Sequence, residues 1–235
     1  MTSILADLAR SRRPLVTILL IAINATVFVY ELSLTGLDEF IFFHKYGLIP
    51  AELTSGEEVP LLVNTSRGLF SVEVGSSIHP WGTVFSSMFI HGSILHLVGN
   101  MLFLWGFGYN VEEKLGHVKY LLFYLGVGIA AAWAQIAVDL DSQVPMIGAS
   151  GAISGVLGAY ILAFPYRNVV AMLFLFFVLP LFFSVGSVGP GVSGGGVAYM
   201  AHLGGLVAGV LFMAGYKYVH REPILPRRQW PPWRY

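Results

Sequence analysis

The chain has 235 residues, of which 56% are hydrophobic and only 11% charged, with a mean hydropathy of +0.72. A soluble domain carries roughly 25% charged residues, so this composition belongs in a membrane. The 13 basic and 13 acidic side chains cancel, which leaves no electrostatic footprint for nucleic acid, and the absence of cysteine excludes disulfides, Cys-ligated zinc and thiol chemistry.

The length suits one compact helical domain over residues 14–219, flanked by cytosolic tails at 1–13 and 220–235. The first tail carries Arg10, Arg12 and Arg13. Pro14 to about Ser33 reads as the first span. It has no small-x-small cleavage site and ends in Tyr30-Glu31, so it is a retained helix rather than a signal peptide. Asn24 inside it reads as an amide bonded to a neighbouring helix. Residues 34–81 mix Asp38, Glu39, Lys45, Glu52, Glu57, Glu58, Arg67 and Glu73 with apolar clusters such as Phe40-Ile41-Phe42-Phe43 and Leu61-Leu62-Val63. This long first outer loop is too polar to span and too apolar for a free linker. Short interfacial helices and turns at the outer surface are expected there.

Span two is predicted from about Thr83 to Phe107 and contains His91, His96 and Asn100. A short charged connection, Tyr109 to Lys119, leads to span three at Tyr120 to Val138, and Asp139 to Ile147 forms an outer loop. Span four starts at Ser150 and stops before Pro165. At about 15 residues it covers roughly 22 Å, less than the roughly 30 Å hydrocarbon core. Its outer end therefore lies below the membrane surface, where irregular backbone is tolerated only beside protein or a water-filled cavity. Span five is predicted at Val169 to Val185. A mobile Gly-rich loop, Gly186 to Gly196, leads to span six at Val197 to Val219. The expectation is an all-α, six-transmembrane-helix bundle. Only Lys45 and Arg67 lie opposite the remaining basic residues, which places both termini in the cytosol. Ser150, His91 and His96 then face the outer leaflet.

Ionisable residues inside spans are functional candidates by default. His96 and Asn100 share a helix face, and His202 lies about one turn into span six. Ser150 opens span four, with Gly151, Gly155 and Gly158 on one face. Gly205 and Gly209 follow His202 in G-x-x-x-G spacing. Two such small-residue faces can meet closely, bringing the His202 imidazole to the Ser150 hydroxyl. A serine needs a base to become a nucleophile, and imidazole is the usual base. Asn100, His96 and the Ser150 N–H would then donate to an oxyanion. Taken singly, each feature also has a structural explanation: an N-cap, a packing face, or polar glue between helices.

The segments Gly148-Ala149-Ser150-Gly151, Ala201-His202-Leu203-Gly204-Gly205 with Gly209, and His91…His96-Leu97-Val98-Gly99-Asn100 together resemble the rhomboid intramembrane serine proteases. The resemblance implies a Ser150–His202 dyad, with Ser150 as nucleophile and His202 as general base. It also implies an oxyanion hole with His96 and Asn100, and a Gly-rich cap over the site. Neither cofactor nor metal is implied. Substrates would be single-pass membrane proteins in the bilayer, and the compact six-span form points to a bacterial plasma membrane, with an organelle membrane as the alternative. Two positions depart from the family pattern: Gly82 follows Trp81 where many members have arginine, and Ser154 stands where some have tyrosine.

The remaining polar groups read as structural. Glu112-Glu113 with Lys114 reads as an ion-paired cytosolic loop, and Asp139 and Asp141 as a solvated loop. His44, His79, His117 and His220 read as surface residues. A metal on His91, His96 and His202 lacks an H-E-x-x-H pattern. Two other classes compete with the protease: a catalytically silent relative that binds membrane segments, and a transporter with a broken-helix site. The second lacks a visible inverted repeat.

Overall fold

The computed structural model describes residues 13–65, 68–72, 74, 78–165 and 199–225. The predicted span five, the Gly-rich loop and most of both tails lie outside the described residues.

The chain opens with α1 (Leu15–Glu31), then α2 (Leu37–Tyr46) and α3 (Pro50–Ser55). A hairpin of β1 (Leu61–Thr65) and β2 (Gly68–Val72) follows, then α4 (Pro80–Ser86). Next comes a rod, Ile94–Leu115, made of α5 (Ile94–Phe103), a wider turn at Leu104–Gly108 and α6 (Tyr109–Leu115). The last three helices are α7 (His117–Ile136), α8 (Ser150–Ala163) and α9 (Tyr199–Val219). The rod, α7 and α9 are each long and apolar enough to cross a membrane, whereas α1 and α8 are apolar but shorter. Predicted spans one, three, four and six each overlap one of these apolar helices, whereas span two overlaps the rod only from Ile94 onward.

Helix α8 is the axis of the bundle. Every residue from Ala152 to Tyr160 is buried, as expected of a helix apolar all round. The surrounding helices instead expose Leu102, Trp105, Leu122 and Leu211, which suits contact with lipid rather than water. Small residues set the packing. A Cβ added at Gly205 would overlap the Gly151 carbonyl, one at Gly209 the Gly155 carbonyl, and one at Gly158 the Leu206 carbonyl. Helices α8 and α9 therefore run parallel with their backbones nearly touching. On the other side, Gly151 abuts Ala131 and Gly155 abuts Val127, so α7 runs antiparallel to α8.

Several expectations need correction. The fold is predominantly helical, but the first connection also contains the hairpin, paired from Leu61↔Val72 to Thr65↔Gly68. Leu61-Leu62-Val63 thus extends as a strand instead of coiling at an interface. Span two is not one helix. A single 3₁₀ turn, Ser87–Phe89, follows α4, Ile90 is extended and Gly92 has φ +63°. Helix α5 restarts when the Ser93 hydroxyl accepts the His96 N–H at 3.2 Å, an N-cap that high hydropathy conceals.

Glu112 is not in a loop. It is buried at 1% exposure on α6 and accepts from Val16 N (2.9 Å), Thr17 N (2.8 Å) and Thr17 Oγ1 (2.6 Å). The two backbone donors are first-turn N–H groups of α1, which have no intrahelical acceptor. His117 Nδ1 lies 2.6 Å from the same carboxylate, so this histidine is not a bare surface residue. Lys114 pairs instead with Glu222 at 2.7 Å. His44 is buried, with Nε2 2.5 Å from the Val59 carbonyl. Asn24 is buried, but its amide donates to Leu20 O of its own helix at 2.7 Å.

The first connection is tied down by backbone contacts. Leu48 and Met146 form a bridge, Ala51 N donates to Ser142 O at 3.0 Å, and Ser86 Oγ donates to Tyr46 O at 2.6 Å. These bonds link it to the α7–α8 loop and to α4, the helix that carries Gly82.

Candidate active site

The α7–α8 loop reaches Ser150 through Gly148, whose φ is +121°. That conformation favours glycine, and a Cβ there would lie 2.8 Å from His96 Nε2. Gly148 therefore lets the His96 ring lie against the backbone just before Ser150. Its N–H donates to Ser87 O at 2.8 Å. Ser150 is half-buried in the first turn of α8, so its own N–H lacks an intrahelical acceptor.

The interlocked glycines of α8 and α9 bring His202 Nε2 to 2.7 Å from Ser150 Oγ. His202 is 5% exposed. With the hydroxyl donating, Nε2 offers a lone pair ready to receive the proton. Ser154 turns away from this contact, donating from Oγ to Ser150 O at 2.8 Å. Its small side chain leaves room for the close approach of Gly205. Gln135 of α7 adds a second hold on α9. Its Oε1 accepts Met200 N at 3.1 Å and Ala201 N at 3.3 Å, immediately before His202.

His96 and Asn100 stand one turn apart on α5. His96 Nδ1 donates to His91 O at 2.7 Å, because a carbonyl can only accept. Nδ1 therefore carries a proton, and Nε2 donates only when the ring holds both protons. Asn100 is buried, and its Nδ2 has no hydrogen-bond partner among the described residues. A buried amide without a partner is costly unless something else receives it. His91 packs its ring 5.0 Å from that of His96. Beside Ser150 lies a cavity of about 50 Å³, lined by Ser87, Met88, Gly128, Ala131, Met146 and Gly148 among others. No group of three metal-ligating side chains occurs among the described residues.

Ser150, His202 and His96 thus meet at one end of the bundle, with Asn100 one turn further along α5, while the glycines run from there along the α8–α9 interface. Glu31 and Gln135 also bear on this region and were not singled out from the sequence. Glu31, at the end of α1, accepts His91 N and Gly92 N. The partners of both are backbone N–H groups remote in sequence, which no local pattern announces.

A family model, the Rhomboid domain, matches residues 79–218. Rhomboid protein 1, mitochondrial, of Saccharomyces cerevisiae is 34% identical over 141 residues, covering 55% of this chain and 40% of that protein. RHOMBOID-like protein 5 of Arabidopsis thaliana is 30% identical, covering 60% and 48%. Rhomboid protease GluP of Bacillus subtilis is 42% identical over 79 residues, covering 34% and 15%. The chain thus spans less than half the length of these three relatives. The matched region contains Ser150, His202, His96 and Asn100, and the chain belongs to the rhomboid family.

Proposed function

We propose that this chain is an intramembrane serine endopeptidase. The observation that carries the reading is the 2.7 Å contact between Ser150 Oγ and His202 Nε2. As His202 takes the hydroxyl proton, Oγ attacks the scissile carbonyl carbon and its oxygen becomes an oxyanion. The Ser150 N–H and Asn100 Nδ2 stabilise that charge, joined by His96 Nε2 when its ring holds both protons, and aided by the positive ends of α5 and α8. His202 then protonates the leaving amine, and the C–N bond breaks to leave an acyl-enzyme. Water, deprotonated by His202, attacks the ester and frees Ser150. The small cavity beside Ser150 suits a small side chain next to the scissile bond.

The substrates on this reading are single-pass membrane proteins with a helix that unwinds easily near the outer face, since a helical amide is tied up in its own hydrogen bonds. Six spans with both termini in the cytosol complete the topology, in a bacterial plasma membrane. GluP of Bacillus subtilis, named as a protease, supports the activity.

The test uses protein in detergent or liposomes with a single-pass reporter carrying helix-weak residues near its outer end. Cleavage by the wild type and none by Ser150→Ala is expected. Equal cleavage by both would defeat Ser150 as nucleophile. If neither cuts and a fluorophosphonate leaves Ser150 unlabelled, the binding-only relative becomes the better reading.

A further inference from the structure

Glu31 closes α1 at 5% exposure, and no ion pair of this carboxylate occurs among the described residues. Its oxygens instead accept two successive backbone N–H groups, His91 N at 3.1 and 3.2 Å and Gly92 N at 3.0 Å. These belong to the break between α4 and α5, where Gly92 sits at φ +63°. That break has few hydrogen bonds of its own; the Ser93 N–H reaches back to His91 O at 2.7 Å.

The Gly92 N–H and the His91 C=O are opposite sides of one peptide plane. That carbonyl also receives His96 Nδ1 at 2.7 Å. A continuous chain therefore runs from the Glu31 carboxylate through the His91–Gly92 peptide to the His96 ring. Planarity of the peptide means that fixing the N–H side fixes the direction of the C=O. Hydrogen bonds arranged in series polarise one another, and a bond to an ionised acceptor is stronger than a neutral one. Without the carboxylate, the N–H side of this plane loses its acceptor, and only the Ser93 N–H on the His91 carbonyl is left to help set it.

We propose that Glu31 is a positioning residue for the oxyanion site, orienting His96 through the His91–Gly92 peptide. It touches neither Ser150 nor His202 and acts only through the ring. The inference rests on the reading of His96 as an oxyanion donor. Glu31→Gln removes the charge and puts an NH₂ group against one of the two N–H donors. Glu31→Asp keeps the charge but is one methylene too short to hold both.

The experiment uses the full chain with ¹⁵N-labelled histidine in detergent, and the same reporter substrate. In both variants the His96 ring resonances are expected to move while those of His202 stay in place. kcat is expected to fall about tenfold, less than the loss from removing a whole oxyanion donor, with KM little changed. In a His96→Ala background neither Glu31 variant should lower kcat further. Unmoved His96 resonances would overturn the proposal, as would losses that multiply in that background, because Glu31 would then act independently of the ring. If His96→Ala alone keeps the wild-type kcat, the oxyanion reading of His96 has failed and the proposal falls with it, whatever the Glu31 variants do.

Discussion

At the scale of single residues, catalysis and packing are separated by what a substitution does to rate and to stability. Asn100 Nδ2 has no partner among the described residues, so replacing Asn100 by alanine removes no hydrogen bond of that amide group among them. The expected result is a kcat lower by about 10²–10³ with a melting temperature close to wild type. A large drop in melting temperature would mark Asn100 as structural glue. Glu112 should behave in the opposite way. It binds the first turn of α1 and His117, at the end of the bundle remote from Ser150. Hydrogen bonds to a charged group are worth roughly 1.5–3 kcal/mol, and Glu112→Ala leaves several donors unmatched. The expected outcome is a clear loss of thermal stability, with kcat per folded molecule nearly unchanged when assayed well below the melting point.

At the scale of elements, the α8–α9 contact sets the distance between nucleophile and base. A Cβ at residue 209 would overlap the Gly155 carbonyl, while one at residue 215 meets nothing within 4 Å. Gly209→Ala should therefore destabilise by about 1–3 kcal/mol, the usual cost of overpacking, and should reduce cleavage by moving His202 off Ser150. Gly215→Ala on the same helix should be neutral or stabilising by up to about 1 kcal/mol, because alanine is the better helix former. Denaturation curves and cleavage rates of the pair check both statements. Equal behaviour of the two variants would mean the close contact is not what matters. Gln135 offers a subtler case. Gln135→Ala unties the Met200 and Ala201 N–H groups. The expected cost is about 1 kcal/mol, comparable to a lost helix cap, with a several-fold lower kcat. Gln135→Glu keeps the acceptor oxygens and should restore most of that rate.

At the scale of the molecule, α1 runs antiparallel to the Ile94–Leu115 rod, because its start meets Glu112 and its end meets His91. Helices α5 and α8 both begin beside the site, so the positive ends of their dipoles converge where negative charge would develop. The absence of cysteine permits a direct test of topology. Single cysteines replacing the exposed Ser55 and Glu113 lie at opposite ends of the bundle. In sealed, right-side-out vesicles an impermeant maleimide should label the first and spare the second. The reverse pattern would invert the proposed orientation and move Ser150 to the cytosolic half.

The apolar helices were legible because a bilayer imposes length and hydropathy on whatever crosses it. The site was partly legible for a related reason. Polar side chains stand out in spans that should lack them, and Ser150 and His202 each carry a glycine face that announces a close neighbour. The hairpin was also written in the sequence: Leu61-Leu62-Val63-Asn64-Thr65 and Gly68-Leu69-Phe70-Ser71-Val72 are strand-like runs separated by two residues. The expectation of short interfacial helices and turns matched Leu37–Tyr46 and Pro50–Ser55 but passed over that pattern. The break at Ile90–Ser93 carried its own signals in Gly92 and Ser93, masked by the hydropathy on either side. Glu31, Gln135 and Glu112 are a different matter. Each is an acceptor whose donors are backbone N–H groups dozens of residues away. A backbone group has no residue identity, so nothing in the sequence names it as a partner. By itself the sequence determined where helices could cross and which side chains could do chemistry. Only the tertiary structure decided which carboxylates and amides hold those side chains in place, because that choice is made by distance in space.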